Sequence, residues 1–194
     1  YLGRTTPPVT IADWRRMPKN GLAVVTNGQL FQTREGEFTA FRSALLAFYP
    51  EDLRRKKLAK ECALTAQQGQ YNYLRCLRHG ERVSALIALG QFIQSVQQIC
   101  CLLARQYIPY YKWSQRMLYR LPAPGPDIAP LLEQLAAGEG DAVLLIEEVC
   151  AELIAELHRQ GLSHARDSFL LPHAAEIQAT ITDGGLRSLP VMAE

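Results

Sequence analysis

No run of 18 apolar residues occurs in this chain of 194, so no membrane-spanning helix is expected. No signal peptide is expected either. An excess of one charge is missing too: 21 Lys and Arg stand against 19 Asp and Glu. A net charge of +2 argues neither for a general nucleic-acid binder nor for an enzyme of acidic substrates, and no general DNA binding is expected. Cysteine is scarce and odd in number, with five residues and no C-x-x-C. Cys100, Cys101 and Cys150 lie inside apolar helical runs. The pattern reads as reduced, buried cysteine in a cytoplasmic protein, not a disulfide frame or a zinc site. His79, His158, His164 and His173 show no metal-ligand spacing. G-x-S-x-G, G-x-x-x-x-G-K-[ST] and G-x-G-x-x-G are all absent. So is a D-x-D pair that could hold magnesium; the nearest alternation, Glu35-Gly36-Glu37, falls in a turn. No catalytic and no metal-binding residue is therefore assigned, although a triad assembled in space from distant residues stays open.

What is present is a core and the punctuation of helices. At 48% hydrophobic and 21% charged the chain can bury a sizeable interior. Residues 1–38 read as an irregular lead-in with Pro7, Pro8 and Pro18, followed by LAVVT-NG-QLFQT. Two β-prone runs flanking Asn27-Gly28 predict a β-hairpin over about Leu22 to Thr33. Residues 39–194 read as helical. FRSALLAF stops before Pro50. Pro50, Glu51 and Asp52 open a helix with the right dipole complement, and Gly69 is expected to stop it. That helix carries the basic run Arg54 to Lys57, expected on a solvated face. Leu86, Leu89, Phe92, Ile93, Val96, Ile99, Cys100 and Leu103 mark the longest helix, Glu81 to Gln106, roughly 40 Å long. Shorter helices are expected at Tyr110 to Leu121, Ile128 to Ala137, Ala142 to Gln160 and Leu171 to Thr182. The fold class is mainly α: an antiparallel helical bundle with a short N-terminal β-hairpin.

Two tracts concentrate rings, cations and amides. AQQGQYNYLRCLRHGE runs from Ala66 to Glu81, and RQYIPYYKWSQR from Arg105 to Arg116. Together they hold five of the eight tyrosines and one of the two tryptophans. Such a mixture is costly to bury without partners and suits a cleft for a polar, anionic or planar ligand. It also suits the cementing of helix ends. The candidate ligand-binding residues are Gln70, Tyr71, Asn72 and Arg75 in the first tract, and Tyr110, Tyr111, Lys112, Trp113 and Arg116 in the second. Lys112 is the leading phosphate contact, because it follows Pro109 at the start of a helix where free N–H groups favour an anion. The tracts lie at opposite ends of the long helix, so the second is expected to meet Tyr49 and the start of the Pro50 helix.

GEFTAFRSALLAFYPEDLRRKKLAKECALTAQQGQYNYLRCLRHGE, then RQYIPYYKW, resembles a bacterial domain of unknown function that usually follows a nucleotidyltransferase domain in one polypeptide. YLG, DWRRMP, NGQLF and GLSHARDSFLLPHAAEIQ extend the resemblance over nearly the whole chain. It implies the helical C-terminal domain of a nucleotidyltransferase-like protein, in keeping with a chain that starts at Tyr1 and not at methionine. The companion domain would be of the polymerase-β type and would supply Gly-Ser and two acids that hold magnesium. Magnesium and a nucleoside triphosphate are implied for that domain only, and no cofactor for this chain. Gly-Ser followed by D-x-D does not occur here, so the isolated chain is expected to be inactive. Gln32-Thr33-Arg34 stands where the family often has an acid, and Leu74 where it often has proline. The implied role is non-catalytic: lining the nucleotide or acceptor cleft, with the chain's own N-terminal domain as partner and a small-molecule or nucleotide ligand. The alternatives are an interaction module docking a partner protein or RNA, or an independent helical hydrolase.

Overall fold

The computed structural model describes residues 2–3, 6–29 and 36–193, and these contain helix and no strand. The N-terminal part forms α1 (Ile11–Arg16), α2 (Lys19–Thr26) and α3 (Glu37–Leu46). The lead-in is thus helical where it was expected to be irregular. α1 starts with a reciprocal capping box: Thr10 Oγ1 accepts from Asp13 N, and the Asp13 carboxylate accepts from Thr10 N at 2.9 Å.

The expected hairpin is corrected by α2. Its first strand, from Leu22 to Thr26, is α-helical, and Leu30 to Thr33 lie outside the described residues. Side-chain partners explain why β-prone residues take helix here. Thr26 Oγ1 donates to Leu22 O at 2.7 Å, back along its own helix. From α3, Arg42 donates to Val25 O, Thr26 O and Gly28 O, satisfying carbonyls that the end of α2 leaves free. Gly28 does take a positive φ of 74°, but Asn27 at φ −71° does not, so the pair is not a type I′ turn.

The centre of the fold is α4 (Glu51–Thr65), packed between α6 (Arg82–Leu103) and α10 (Leu170–Ala179). Leu53, Leu58, Ala59, Cys62 and Ala63 are fully buried in the same core as Phe92, Val96 and Ile99 of α6 and Ala174 and Ile177 of α10. With both flanks covered, α4 has little solvated face. The basic run is corrected accordingly: Arg54, Lys56 and Lys57 are buried, and Arg55 is half-buried. Each buried cation has partners. Arg54 donates to Leu102 O at 3.0 Å, Glu51 Oε1 at 2.9 Å and Gln160 Oε1 at 2.9 Å. Lys56 Nζ donates to Gln178 Oε1 at 2.7 Å and Pro190 O at 2.8 Å, with Leu189 O and Val191 O at 3.4 Å. Lys57 Nζ lies 5.0 Å from the centre of the Tyr49 ring.

Gly69 does not stop the helix. The chain continues from α4 through a π-helical stretch (Ala66–Tyr73) into α5 (Leu74–Arg78). A Cβ on Gly69 would sit 2.2 Å from Phe92 Cδ2, so glycine is needed to let this stretch close on α6. α6 is long and apolar enough by composition to cross a membrane, with a mean hydropathy of 1.5 over its most apolar window. That window is 61% buried, so the bundle core accounts for most of its apolarity.

Beyond α6 come α7 (Tyr111–Leu118), α8 (Gly125–Ala137) and α9 (Ala142–Arg159). They lie close to the expected helices, and Gly161 takes φ 64° just past α9, as a C′ glycine does. After α10, the short α11 (Gly184–Ser188) is tied back to α4: the Asp52 carboxylate accepts from Thr182 N at 3.1 Å and Asp183 N at 2.7 Å.

Candidate functional site

An open groove of about 630 Å³ lies between the C-terminal ends of α2 and α3, the loop after α6, and α7. Its back wall is aromatic. Tyr107 donates its hydroxyl to Leu45 O at 2.7 Å and so closes the end of α3. Its ring packs 4.8 Å from Phe48 and 5.0 Å from Tyr49, and Trp14 sits edge-on to Tyr49 at 5.6 Å. Burial pushes the Tyr49 and Tyr107 hydroxyls well above the ordinary phenol range, so the wall is neutral. The second tract therefore does meet Tyr49 and the start of α4, as its position in the sequence implies.

Cations rim the groove. Arg105, Arg116 and Arg120 all line it, and no acid does among the described residues. Arg105 Nη2 is 2.7 Å from Glu51 Oε2. Burial alone would raise the Glu51 carboxyl, but the Arg105 hydrogen bond and the charges of Arg54, Arg105 and Arg55 outweigh it and hold it below its ordinary value. Arg116 stacks on Trp113, 5.4 Å from the ring centre. Arg120 has no ion-pair partner among the described residues. Tyr110 and Trp113 are half-exposed at the mouth, beside the exposed apolar Val24 and Leu46. Flat rings, an apolar lip and three guanidinium groups can hold a planar group at one end and an anion at the other.

Two groove residues have unusual backbones. Phe48 (φ 72°) and Arg105 (φ 52°) are the non-glycine residues with left-handed conformation among the described residues, and both line the groove. Such conformations cost on the order of 1–3 kcal/mol each and persist only where packing enforces them.

The nine residues singled out in the sequence separate into three groups. Tyr110, Trp113 and Arg116 line the groove. Tyr111 and Lys112 are exposed but do not line it. Helical spacing explains the split: Trp113, Arg116 and Arg120 share one face of α7 and its end, while Ser114 faces inward and donates to Gln97 Oε1 at 2.7 Å. That three–four spacing was legible and also points to Arg120. Val24, Leu46 and Phe48 come from elements that the spacing does not connect to α7.

Gln70, Tyr71, Asn72 and Arg75 sit on the π-helical stretch and α5, away from the groove. The Gln70 amide bridges three elements, donating to Ser168 O at 2.9 Å and Glu147 Oε2 at 2.8 Å and accepting from Leu170 N at 2.9 Å. Arg75 donates to the Tyr71 hydroxyl and stacks on its ring. Asn72 donates to Gln68 Oε1 at 3.3 Å.

A serine, a histidine and an acid do meet in space. Ser163 Oγ lies 2.9 Å from His173 Nδ1 and donates to Glu176 Oε2 at 2.7 Å. Ser163 and His173 are fully buried, and Glu176 also accepts from His164 N and Ala165 N. With its hydroxyl proton committed to Glu176 and no open face for a substrate, Ser163 fastens the loop after α9 onto α10. No group of three or more His, Cys, Asp or Glu among the described residues is placed to hold a metal ion.

Residues 14–114, just over half of the chain, match the family described as a domain of unknown function, DUF4037. The matched stretch contains α2 to α6, the aromatic wall and the start of α7. No curated protein and no solved structure matches the chain.

Proposed function

We propose that this chain, which belongs to the DUF4037 family of unknown function, is a non-catalytic helical domain of a nucleotidyltransferase-like protein. Its groove lines the nucleotide or acceptor cleft. The observation that carries this reading is the coincidence of left-handed Phe48 and Arg105 with the arginine-rimmed, ring-lined groove. Strain held at a concavity is a mark of a built site. Trp113 and Tyr110 offer faces for a base, and Arg105, Arg116 and Arg120 offer forks for phosphate or carboxylate oxygens. Magnesium and the chemistry of the α-phosphate would come from the companion domain. In that arrangement this chain binds, orients and excludes water.

The test is calorimetric titration of ATP into the purified chain. Trp113→Ala and Arg116→Ala should each weaken binding about tenfold, the scale of one lost charge-assisted or stacking contact. Lys112→Ala should have the smaller effect, since Lys112 lies outside the groove. Equal affinities for wild type, Trp113→Ala and Arg116→Ala would remove the groove from nucleotide binding.

One observation favours the second reading, an interaction module. Val83, Leu86 and Ile87 are exposed by 74%, 69% and 57% at three–four spacing near the start of α6. An apolar stripe of that kind suits a protein partner.

A further inference from the structure

A second concavity, of about 510 Å³ and sharing no lining residue with the groove, is lined by Ala12, Arg15 and Arg16 of α1 and by Lys60 of α4. Arg15 and Arg16 are exposed and make no ion pair among the described residues. Their place in the last turn of α1 suits its dipole, but it does not explain why Lys60 faces the same space from another helix. More positive charge stands behind these three. Lys19 Nζ is 3.6 Å from the buried Glu61 carboxylate, and Lys56 and Lys57 are buried in the adjoining turn of α4. The like charges act on one another. Burial is the main cause that lowers Lys56 and Lys57, the latter to about 7; Lys19 pushes Lys57 further down, and the fields of Lys60 and Arg15 do so to both, with Glu61 opposing at Lys57. Lys19 also lowers Lys60 after burial, again against Glu61. For a protein of net charge +2 this is a strong local excess of cations. A bound anion offsets such repulsion, and two guanidinium forks with one ammonium around a concavity match the oxygens of linked phosphates.

We propose that Arg15, Arg16 and Lys60 form a binding site for the di- or triphosphate group of a small molecule, separate from the ring-lined groove and independent of what that groove binds.

The probe is inorganic pyrophosphate, which carries linked phosphates and no ring. It is titrated into wild type, into the Arg15→Gln/Arg16→Gln double variant and into Arg116→Gln, which removes a cation from the groove, at constant ionic strength, with thermal unfolding followed in parallel. Wild type and Arg116→Gln should bind alike and gain thermal stability. The double variant should bind about tenfold more weakly or worse, the loss expected when charge-assisted contacts are removed. Both substituted arginines are exposed, so an unchanged circular dichroism spectrum is expected and checks the fold. Equal binding by wild type and the double variant would overturn the proposal. So would binding lost in Arg116→Gln but kept in the double variant, which would move the anion to the groove.

Discussion

The tract from Ala66 to Glu81 and the tract from Arg105 to Arg116 draw on the same residue types and use them oppositely. In the first, the side chains turn to one another and to neighbouring backbone: Gln70 bridges Ser168, Glu147 and Leu170, and Arg75 lies on Tyr71. In the second, Tyr107 seals the core while Tyr110, Trp113 and Arg116 stay open around a groove. Backbone makes the difference. An unbroken helical path through the π-helical stretch brings the first tract against three other elements. A left-handed residue at Arg105 breaks the second away from α6 and spreads it along a rim. Composition identifies groups that need partners; it does not say whether those partners belong to the protein or to a ligand.

Substitutions that load each tract separately sharpen the contrast. Gly69→Ala should have the largest effect. Alanine gains up to about 1 kcal/mol of helix propensity, but its methyl overlaps the Phe92 ring at a cost of about 3 kcal/mol, so a net loss of about 2 kcal/mol or more is expected in urea unfolding. Pairing it with Phe92→Leu should recover part of that loss. A neutral Gly69→Ala would show that the two helices are not held at this distance.

The buried amine against the Tyr49 ring should reveal itself through pH. Lys57 is lowered to about 7 in the folded protein, mainly by burial. Between that pH and the ordinary lysine range the unfolded chain binds a proton that folded Lys57 does not. Stability therefore rises with pH above about 7, by at most about 1.4 kcal/mol per pH unit. Buried Cys62, Cys100 and Tyr49 are raised, so they act in the opposite sense once unfolded thiols and phenols ionise. The rise is best read between pH 7 and 8, from urea midpoints, and Lys57→Met should reduce it, leaving the part due to Lys56 and Lys60, which are lowered too.

Gln70→Ala should cost about 1–2 kcal/mol, because it frees the Leu170 N–H and the Ser168 carbonyl at the join to α10. Trp113→Ala and Arg116→Ala should shift the unfolding midpoint least, by under about 0.5 kcal/mol, since both side chains are largely outside the core. A Trp113→Ala loss as large as that of Gln70→Ala would erase the distinction between a closed corner and an open rim.

Most helices from α3 onward are legible because proline, glycine and apolar spacing agree with one another there; the exceptions are Gly69, which reads as a stop but lies inside a continuous helical path, and the short α11. The N-terminal hairpin was misread because Val24, Val25 and Thr26 favour strand locally, whereas the contact that decides is Arg42 reaching back from α3. The run Arg54 to Lys57 reads as surface because Glu51 and Tyr49, its neighbours in sequence, cannot satisfy all of it. Its other partners, Leu102, Gln160, Gln178 and Pro190, lie far along the chain. In the groove, the α7 face could be read from spacing, but Phe48 and Val24 could not, because only the fold brings them opposite it.

The clasp on Lys56 also sets a timetable. Gln178 is 122 positions downstream of Lys56, and at ordinary rates of synthesis that length takes roughly 6 to 24 s to make. Until then α4 has no α10 to lie against. Its four consecutive cations keep the emerging helix hydrated and mutually repelling, where an apolar run in their place would stick to other nascent chains. The residues that look most out of place in the finished core are thus the ones that make waiting for it safe.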